Sequence, residues 1–452
     1  MKKRIPVIHV AVSIAVAASL ALSGCDGVGP RSSGGSESIN VLTINVPQME
    51  NLKKLTRKHF TAETGVRVNY TLLPENEARA KMNKEFSSRS GRYDVASVSA
   101  YEVPIYSKNH WLAPLDPYVK ADPSFDQSDI FPNLTAALSG TDGKIYAEPF
   151  YGEGSFLMYR KDLFRKAGLT MPRNPTWTQV ASLAAKVDGS NGAKGICLRG
   201  LPGWGQNLAP INTVVTTFGG TWYDMKWNAQ LTAPEFKRAI RFYVNLVRKY
   251  GEANAARSGV LEIVDQFVQG NCAMMYDATS TAQTVEADGS TVKGKVGYVP
   301  APHERTKKAG WLWTWAWGIH NASKKQKAAW KFISWASSKE YQKQVGDTLG
   351  WTLAPAGARK SLYANPAYQK AAAAWYRQEY AAVKNSADPK NPGVSPRPYA
   401  GTTFVGIPEF ATLGTEVSQY LSSAIAGKQS VDAALKRSQK LAQAAAAKYR
   451  TH

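Results

Sequence analysis

Cysteine is scarce, three in 452 residues, which excludes a disulfide-dense scaffold. Histidine is scarce too. His9, His59, His110, His303, His320 and His452 are scattered, and neither His-Glu-x-x-His nor Cys-x-x-Cys occurs, so no zinc motif is present. The phosphate-binding Gly-x-x-x-x-Gly-Lys-Ser/Thr is missing, as is the Gly-x-Ser-x-Gly of a serine nucleophile. Gly152-Glu-Gly154 and Gly203-Trp-Gly205 both lack the third glycine of a dinucleotide-binding turn. No cofactor and no metal are expected. Glycoside hydrolysis stays open as the enzymatic alternative, because two carboxylates leave no short signature, and Glu153 and Asp277 are its candidates. Acidic residues are few: 34 Asp+Glu against 56 Lys+Arg give a net charge of +22. Such an excess raises nucleic acid as a partner. A chain of this length, 44% hydrophobic and 11% aromatic, is no disordered basic tail and exceeds one compact core.

The N-terminus argues against nucleic acid. Met1-Lys-Lys-Arg4 is a basic start, and the apolar stretch at residues 10–22, broken only by Ser13 and Ser19, is too short to span a membrane comfortably. Leu22-Ser-Gly-Cys25 resembles the lipobox of bacterial lipoproteins, which implies a signal peptide at 1–24 and a diacylglyceryl group on Cys25. Buried lipid contributes roughly 0.8 kcal/mol per CH₂, so two chains tether firmly. Residues 26–38 hold four Gly, four Ser and one Pro, a flexible tether. The expected location is outside the cell, lipid-anchored on the outer face of the cytoplasmic membrane, where no nucleic acid is expected. A basic surface there suits anionic headgroups or solubility. Cys197 and Cys272 remain in the body, either as a disulfide or as two separate buried thiols.

The spacing predicts strands at 39–46, 66–73 and 93–99 and a helix over 49–62, an order that argues for a parallel α/β sheet. Ligands of such sheets bind beyond the carboxyl ends of the strands, which directs attention to 47–50, 74–77 and 99–102. Thr176-Trp-Thr-Gln179, Thr232-Ala-Pro-Glu235 and Ser323-Lys-Lys-Gln326 each read as a capping box, and Gly251 as a helix-terminating residue. No internal repeat is found.

The chain is rich in flat, amphipathic rings: 13 Trp and 21 Tyr, many in polar loops. Pro149-Phe-Tyr-Gly-Glu-Gly-Ser155 sets two aromatics beside a carboxylate. Leu198-Arg-Gly-Leu-Pro-Gly-Trp-Gly-Gln206 sets Arg199 and Trp204 among glycines. Asp277 follows a short apolar strand, and Trp311-Leu-Trp-Thr-Trp-Ala-Trp317 alternates four tryptophans on one strand face, most of them expected in the core. Polyhydroxylated ligands call for this mixture, since their C–H faces lie on rings while hydroxyls need paired donors and acceptors.

These blocks, with Tyr101-Glu-Val-Pro104, Met158-Tyr-Arg-Lys-Asp-Leu-Phe164, Thr217-Phe-Gly-Gly220, Cys272-Ala-Met274, Ser338-Lys-Glu-Tyr341 and Ile407-Pro-Glu-Phe410, resemble the extracellular solute-binding proteins of bacterial ATP-driven (ABC) sugar importers, over about residues 40–440. The chain looks most like the branch that binds sugar alcohols such as sorbitol and mannitol. The resemblance implies a periplasmic-binding-protein-like fold of two α/β lobes with hinge crossovers and a ligand cleft between them. Lobe one would be 39–148 with 300–350 and lobe two 150–298 with 352–452, with crossovers at 148–151 and near 298–302. It implies Tyr151, Glu153, Arg199, Trp204, Asp277, Trp313 and Phe404 as ligand contacts, with Glu50, Glu75 and Asn76 from lobe one. It further implies a polyol or small sugar as ligand, permease transmembrane subunits as partner, a monomer, and no catalysis. One departure stands out: the first strand–helix turn, where a run rich in Asn is expected, reads Pro47-Gln-Met-Glu50.

Overall fold

Alternating strand and helix in the N-terminal segment build a sheet through crossovers that lay successive strands side by side. The computed structural model describes residues 37–306 and 308–450; the expected signal peptide, Cys25 and most of the tether lie outside them. Strand β1 (Ser38–Ile44) pairs in parallel with β2 (Arg67–Leu73) and β3 (Val95–Ser99). Helices Pro47–Thr56 and Glu75–Ser87 make the connections. The first starts earlier than the spacing predicts because Pro47 takes the first helical position, where a missing N–H costs nothing.

Five further strands follow: β4 (Glu148–Glu153), β5 (Ser155–Arg160), β6 (Met274–Ala278), β7 (Val296–Pro300) and β8 (Trp313–Ile319). The first sheet has the order β2-β1-β3-β8-β4, and the second β6-β5-β7. The parallel arrangement holds for β1 to β3 only, because β8 inserts antiparallel between β3 and β4. Its register sets Trp315 opposite both Ser99 and Tyr151, and Trp313 opposite Glu153. The carboxyl ends of β1, β3 and β4 and the start of β8 therefore share one edge of the sheet.

Pairing of β4 with β8 continues to Glu153, so the chain passes between sheets at Gly154 rather than at 148–151. A Cβ on Gly154 would sit 2.6 Å from that of Ala382, so only glycine lets helix Tyr376–Lys384 press on this passage. The return runs from Pro300 to Trp313.

Of the three expected capping boxes, one forms. Gln179 N donates to Thr176 Oγ1 (3.1 Å) and Thr176 N donates to Gln179 Oε1 (2.9 Å). Helix Pro234–Tyr250 instead takes Ala233 as its cap, because Pro234 occupies the first turn and Thr232 N is bonded to Gln439. Ser323 Oγ accepts from Lys325 N (3.0 Å), but the Gln326 side chain bonds Tyr118 and the Asn321 carbonyl, so no box closes and Lys325 caps Gln326–Ala336. Gly251 does end its helix, in an extended rather than a left-handed conformation (φ −89°). Among the described residues no helix is long and apolar enough to cross a membrane.

Candidate functional site

A cavity of about 230 Å³ opens at the shared edge of the first sheet, against the second sheet and the glycine-rich loop before residue 206. From the first side come Gln48, Glu75, Tyr151, Glu153, Trp313 and Trp315. From the second come Arg199, Trp204, Gly205, Ser280, Thr281 and Thr403.

Arg199 is 6% exposed and Asp277 is fully buried. Arg199 Nε donates to Asp277 Oδ2 (2.7 Å), Nη2 bonds Oδ1, and Nη1 reaches the Gly205 carbonyl (3.1 Å). Such a two-pronged pair is both strong and directional. Burial works against the guanidinium charge, but Asp277, then Glu75 and Glu153, outweigh it and hold Arg199 above its ordinary pKa. A disulfide joins Cys197 to Cys272 with their Cα atoms 5.8 Å apart. One end lies two residues before Arg199 and the other just before the strand that carries Asp277.

Glu153 accepts from Ser280 Oγ (3.1 Å). Burial pushes its pKa up to about 8; Arg199 pulls it down and the Asp277 charge adds to the rise. At neutral pH this carboxyl is mainly protonated, so it can both give and take a hydrogen bond. Burial also pushes the Tyr151 hydroxyl well above its usual pKa, and it stays a neutral phenol. Glu75 accepts from Gln206 Nε2 (3.0 Å) across the cleft.

The aromatic wall is held from behind. Arg79, 7% exposed on helix Glu75–Ser87, lies 4.1 Å from the Trp204 ring and 4.5 Å from that of Trp315. Its guanidinium donates to Glu75 (3.0 Å) and Glu102 (2.5 Å). Tyr101, next to Glu102, packs against Trp204 with ring centroids 4.7 Å apart, and its hydroxyl accepts from Ala411 N (2.9 Å). The Arg79–Trp204 contact and the Gln206–Glu75 and Ala411–Tyr101 bonds, with Asn76 Nδ2 donating to the Pro202 carbonyl (3.2 Å), join the two sides directly: the cleft is closed. A Cβ on Gly205 would run into the Glu75 carboxylate, which explains the glycine beside Trp204.

Of the residues named from sequence, Glu75, Tyr151, Glu153, Arg199, Trp204 and Trp313 border the cavity. Asp277 sits behind Arg199, Asn76 bonds across the rim, and Phe404 packs on Tyr101 (5.3 Å) and Trp313 (6.0 Å). Glu50 does not border it. With 3.6 residues per turn, a helix that turns Gln48 toward the cavity turns Glu50 about 200° away. Sequence reasoning missed Gln48, Arg79, Ser280, Thr281, Trp315 and the helix Val260–Val268. The alternation from Trp313 could have assigned Trp315. Trp317 is in the core, against Phe150 and Phe332.

Two α/β lobes closing on a polar, aromatic-walled cavity define a ligand-capturing architecture, and comparison places it. Residues 44–343 match the family of bacterial extracellular solute-binding proteins, and the chain belongs to that family. It is 36% identical over 408 residues to the mannitol-binding protein of Pseudomonas aeruginosa, covering 90% of this chain and 92% of that one. A crystal structure of an ABC transporter solute-binding protein from Agrobacterium vitis S4, with bound D-mannitol, superposes with a TM-score of 0.88 and 42% identity, covering 91% of this chain and 99% of that one. The erythritol/L-threitol-binding protein of Mycolicibacterium smegmatis is 26% identical over 324 residues, 67% of each chain. The fold is periplasmic-binding-protein-like, shared also with maltose-bound MalE3 of T. maritima (TM-score 0.75, 21% identity, 90% of this chain and 99% of that one).

Proposed function

We propose that the chain captures a six-carbon sugar alcohol, mannitol or a close relative, and delivers it to the membrane subunits of an ABC importer. The observation that carries this is the pairing inside the cavity. A cationic Arg199, a neutral Glu153, the anchored Glu75 and the hydroxyls of Tyr151, Ser280 and Thr281 offer donors and acceptors beside Trp204 and Trp313. A ligand carrying a hydroxyl on every carbon can satisfy all of them, and one lacking hydroxyls leaves buried groups unpaired. The mannitol-binding relative and the mannitol-bound structure support the same choice.

Capture works by closure. Glu75, Tyr151, Glu153 and Trp313 come from the first lobe and Arg199 and Trp204 from the second, so a ligand touching both favours the closed form. Equal affinity for open and closed forms would shift nothing. Asp277, Asn76 and Phe404 act by holding these groups. In this reading no bond is made or broken: both Asp277 oxygens accept from Arg199, one of them also from Ala278 N, and Asp277 does not border the cavity, which argues against the Glu153–Asp277 pair of a glycoside hydrolase. In this reading Cys25 carries the lipid that holds a monomer on the outer face of the cytoplasmic membrane, and the permease is its protein partner.

Calorimetric titration with mannitol, sorbitol, xylitol, arabitol, glucose and maltose tests the proposal. Heat is expected from a hexitol, at micromolar affinity or tighter, about −8 kcal/mol or better. Heat from maltose alone would overturn the polyol reading while leaving a sugar-binding protein.

A further inference from the structure

The cavity is not polar throughout. Its deep part is formed by the buried Glu153, Arg199 and Thr281, but where it reaches solvent the lining changes character. There the turn after β1 supplies Val46 and Pro47, and helix Val260–Val268 supplies Val260, Leu261, Val264 and Val268. Pro47 and Leu261 are exposed, and Val46, Val260 and Val268 half-buried. Leu261 is 52% exposed; of the three large apolar side chains so exposed among the described residues, it alone borders this cavity.

Packing accounts for only part of this stripe. Val260, Val264 and Val268 recur every fourth residue and so share one face of their helix. The face that anchors the helix is made by Ile263 and Phe267, both fully buried in the core around the disulfide. Val264 belongs to that core and Val260 and Val268 rest against it, whereas Leu261 stands outside it, so the apolar surface without an internal partner is Leu261 and the edges of the valines that line the cavity. Opposite it, the first strand–helix turn carries Val46-Pro47 where polar residues are expected of a polyol site. Asp265 also borders the mouth, with its Oδ2 accepting from Gln269 Nε2 (2.8 Å).

We infer that this mouth receives an unhydroxylated end of the ligand, so that the substrate class extends to terminal-deoxy hexitols, which end in a methyl group. The occupant follows from continuity: mouth and polar interior are one cavity, so a ligand that reaches from the interior toward solvent lays its outer end against these side chains. The inference rests on the polyol reading above. A hydroxyl removed at the deep end would leave Arg199 or Glu153 unpaired, a loss that reaches roughly 10⁴-fold in sites built to bond a hydroxyl. A hydroxyl removed at the mouth leaves no buried protein group unpaired, since Asp265 there is exposed to water, and the methyl that replaces it meets Leu261. The two ends of mannitol are equivalent by its two-fold symmetry, so 1-deoxymannitol is a single compound free to enter with its methyl outward.

Titration calorimetry with mannitol and 1-deoxymannitol tests this, on the native protein and on Leu261→Gln, a change at an exposed position that does not threaten the fold. The native protein is expected to bind the two compounds within about tenfold of each other. Leu261→Gln is expected to shift their ratio about fivefold against the deoxy compound, the worth of a methylene or so of apolar contact. Mannitol binding with a deoxy loss greater than tenfold, or an unchanged ratio in Leu261→Gln, overturns the inference and leaves the polyol reading intact. Heat from the deoxy compound alone keeps the apolar mouth and overturns the choice of mannitol. Heat from neither overturns both.

Discussion

Arg199 and Asp277 form a pair in which each makes the other tolerable. A buried carboxylate without its guanidinium is an uncompensated charge, and breaking such a pair from one side costs about 3–5 kcal/mol. Arg199→Ala should therefore lose stability of that order as well as ligand binding. Arg199→Met combined with Asp277→Asn removes both charges, and should recover most of the stability in urea titrations while staying silent in calorimetry. A double variant that binds mannitol as the native protein does would show that Arg199 supports the site without touching the ligand. Both residues were named from sequence, Arg199 in its glycine-rich loop and Asp277 after an apolar run that the structure extends through it as β6. Arg79 was not. It lies in a helix of mostly charged and polar residues, where an arginine reads as a solvated side chain, and only the fold reveals that Glu102 and the tryptophans enclose it.

At the scale of elements, the tryptophan strand shows how far periodicity carries. Alternation places Trp313, Trp315 and Trp317 on one face, and β8 obeys it. Periodicity is silent on where along the strand the cavity gives way to core, which depends on Phe150 and Phe332 arriving from distant segments. Capping motifs behave similarly: Gln179 closes its box with Thr176, whereas Gln326 is drawn to Tyr118 and the Asn321 carbonyl. The disulfide is the element-level device with most leverage on the site, since it clamps the segments leading to Arg199 and Asp277. It closes a separation of 75 residues, and chain entropy puts its contribution at up to about 4 kcal/mol. Cys197→Ala with Cys272→Ala should lower the urea midpoint by an amount equivalent to about 2–4 kcal/mol, with weaker mannitol binding from a less rigid pair. An unchanged midpoint would mean that local packing of β5, β6 and the 197–206 loop already holds this region without the bridge.

For the whole molecule, length pointed to more than one compact core, and the N-terminal strand order to an α/β sheet. The insertion of β8 was beyond sequence reasoning, because its pairing with β3 joins residues more than two hundred positions apart. Equally hidden was a set of carboxyls that burial keeps neutral. Glu148 and Glu153 are both pushed from 4.5 up to about 8, and Glu379 up to about 7, in each case first by burial. They come from strand β4 and from the helix Tyr376–Lys384 that packs on the sheet passage, so their titration acts on the frame of the cleft. In the unfolded chain each loses its proton near 4.5, whereas the folded protein keeps it to about 7 or 8. Across that interval the folded state binds more protons than the unfolded one, so stability contributed by these groups is greatest below 4.5 and declines as pH rises to about 8. Thermal unfolding followed by calorimetry should therefore show the midpoint falling between pH 5 and 8, the interval these shifts span. Glu148→Gln with Glu379→Gln should flatten that slope, because an amide mimics the neutral acid and has no proton to lose. Binding carries the same signature through Glu153, whose deprotonation removes a donor and adds a second negative charge beside Asp277. Mannitol affinity should fall above pH 8 in the native protein, and that fall should persist in the double glutamine variant. A fall that disappears in the variant would assign the alkaline loss of binding to the frame instead of the cavity.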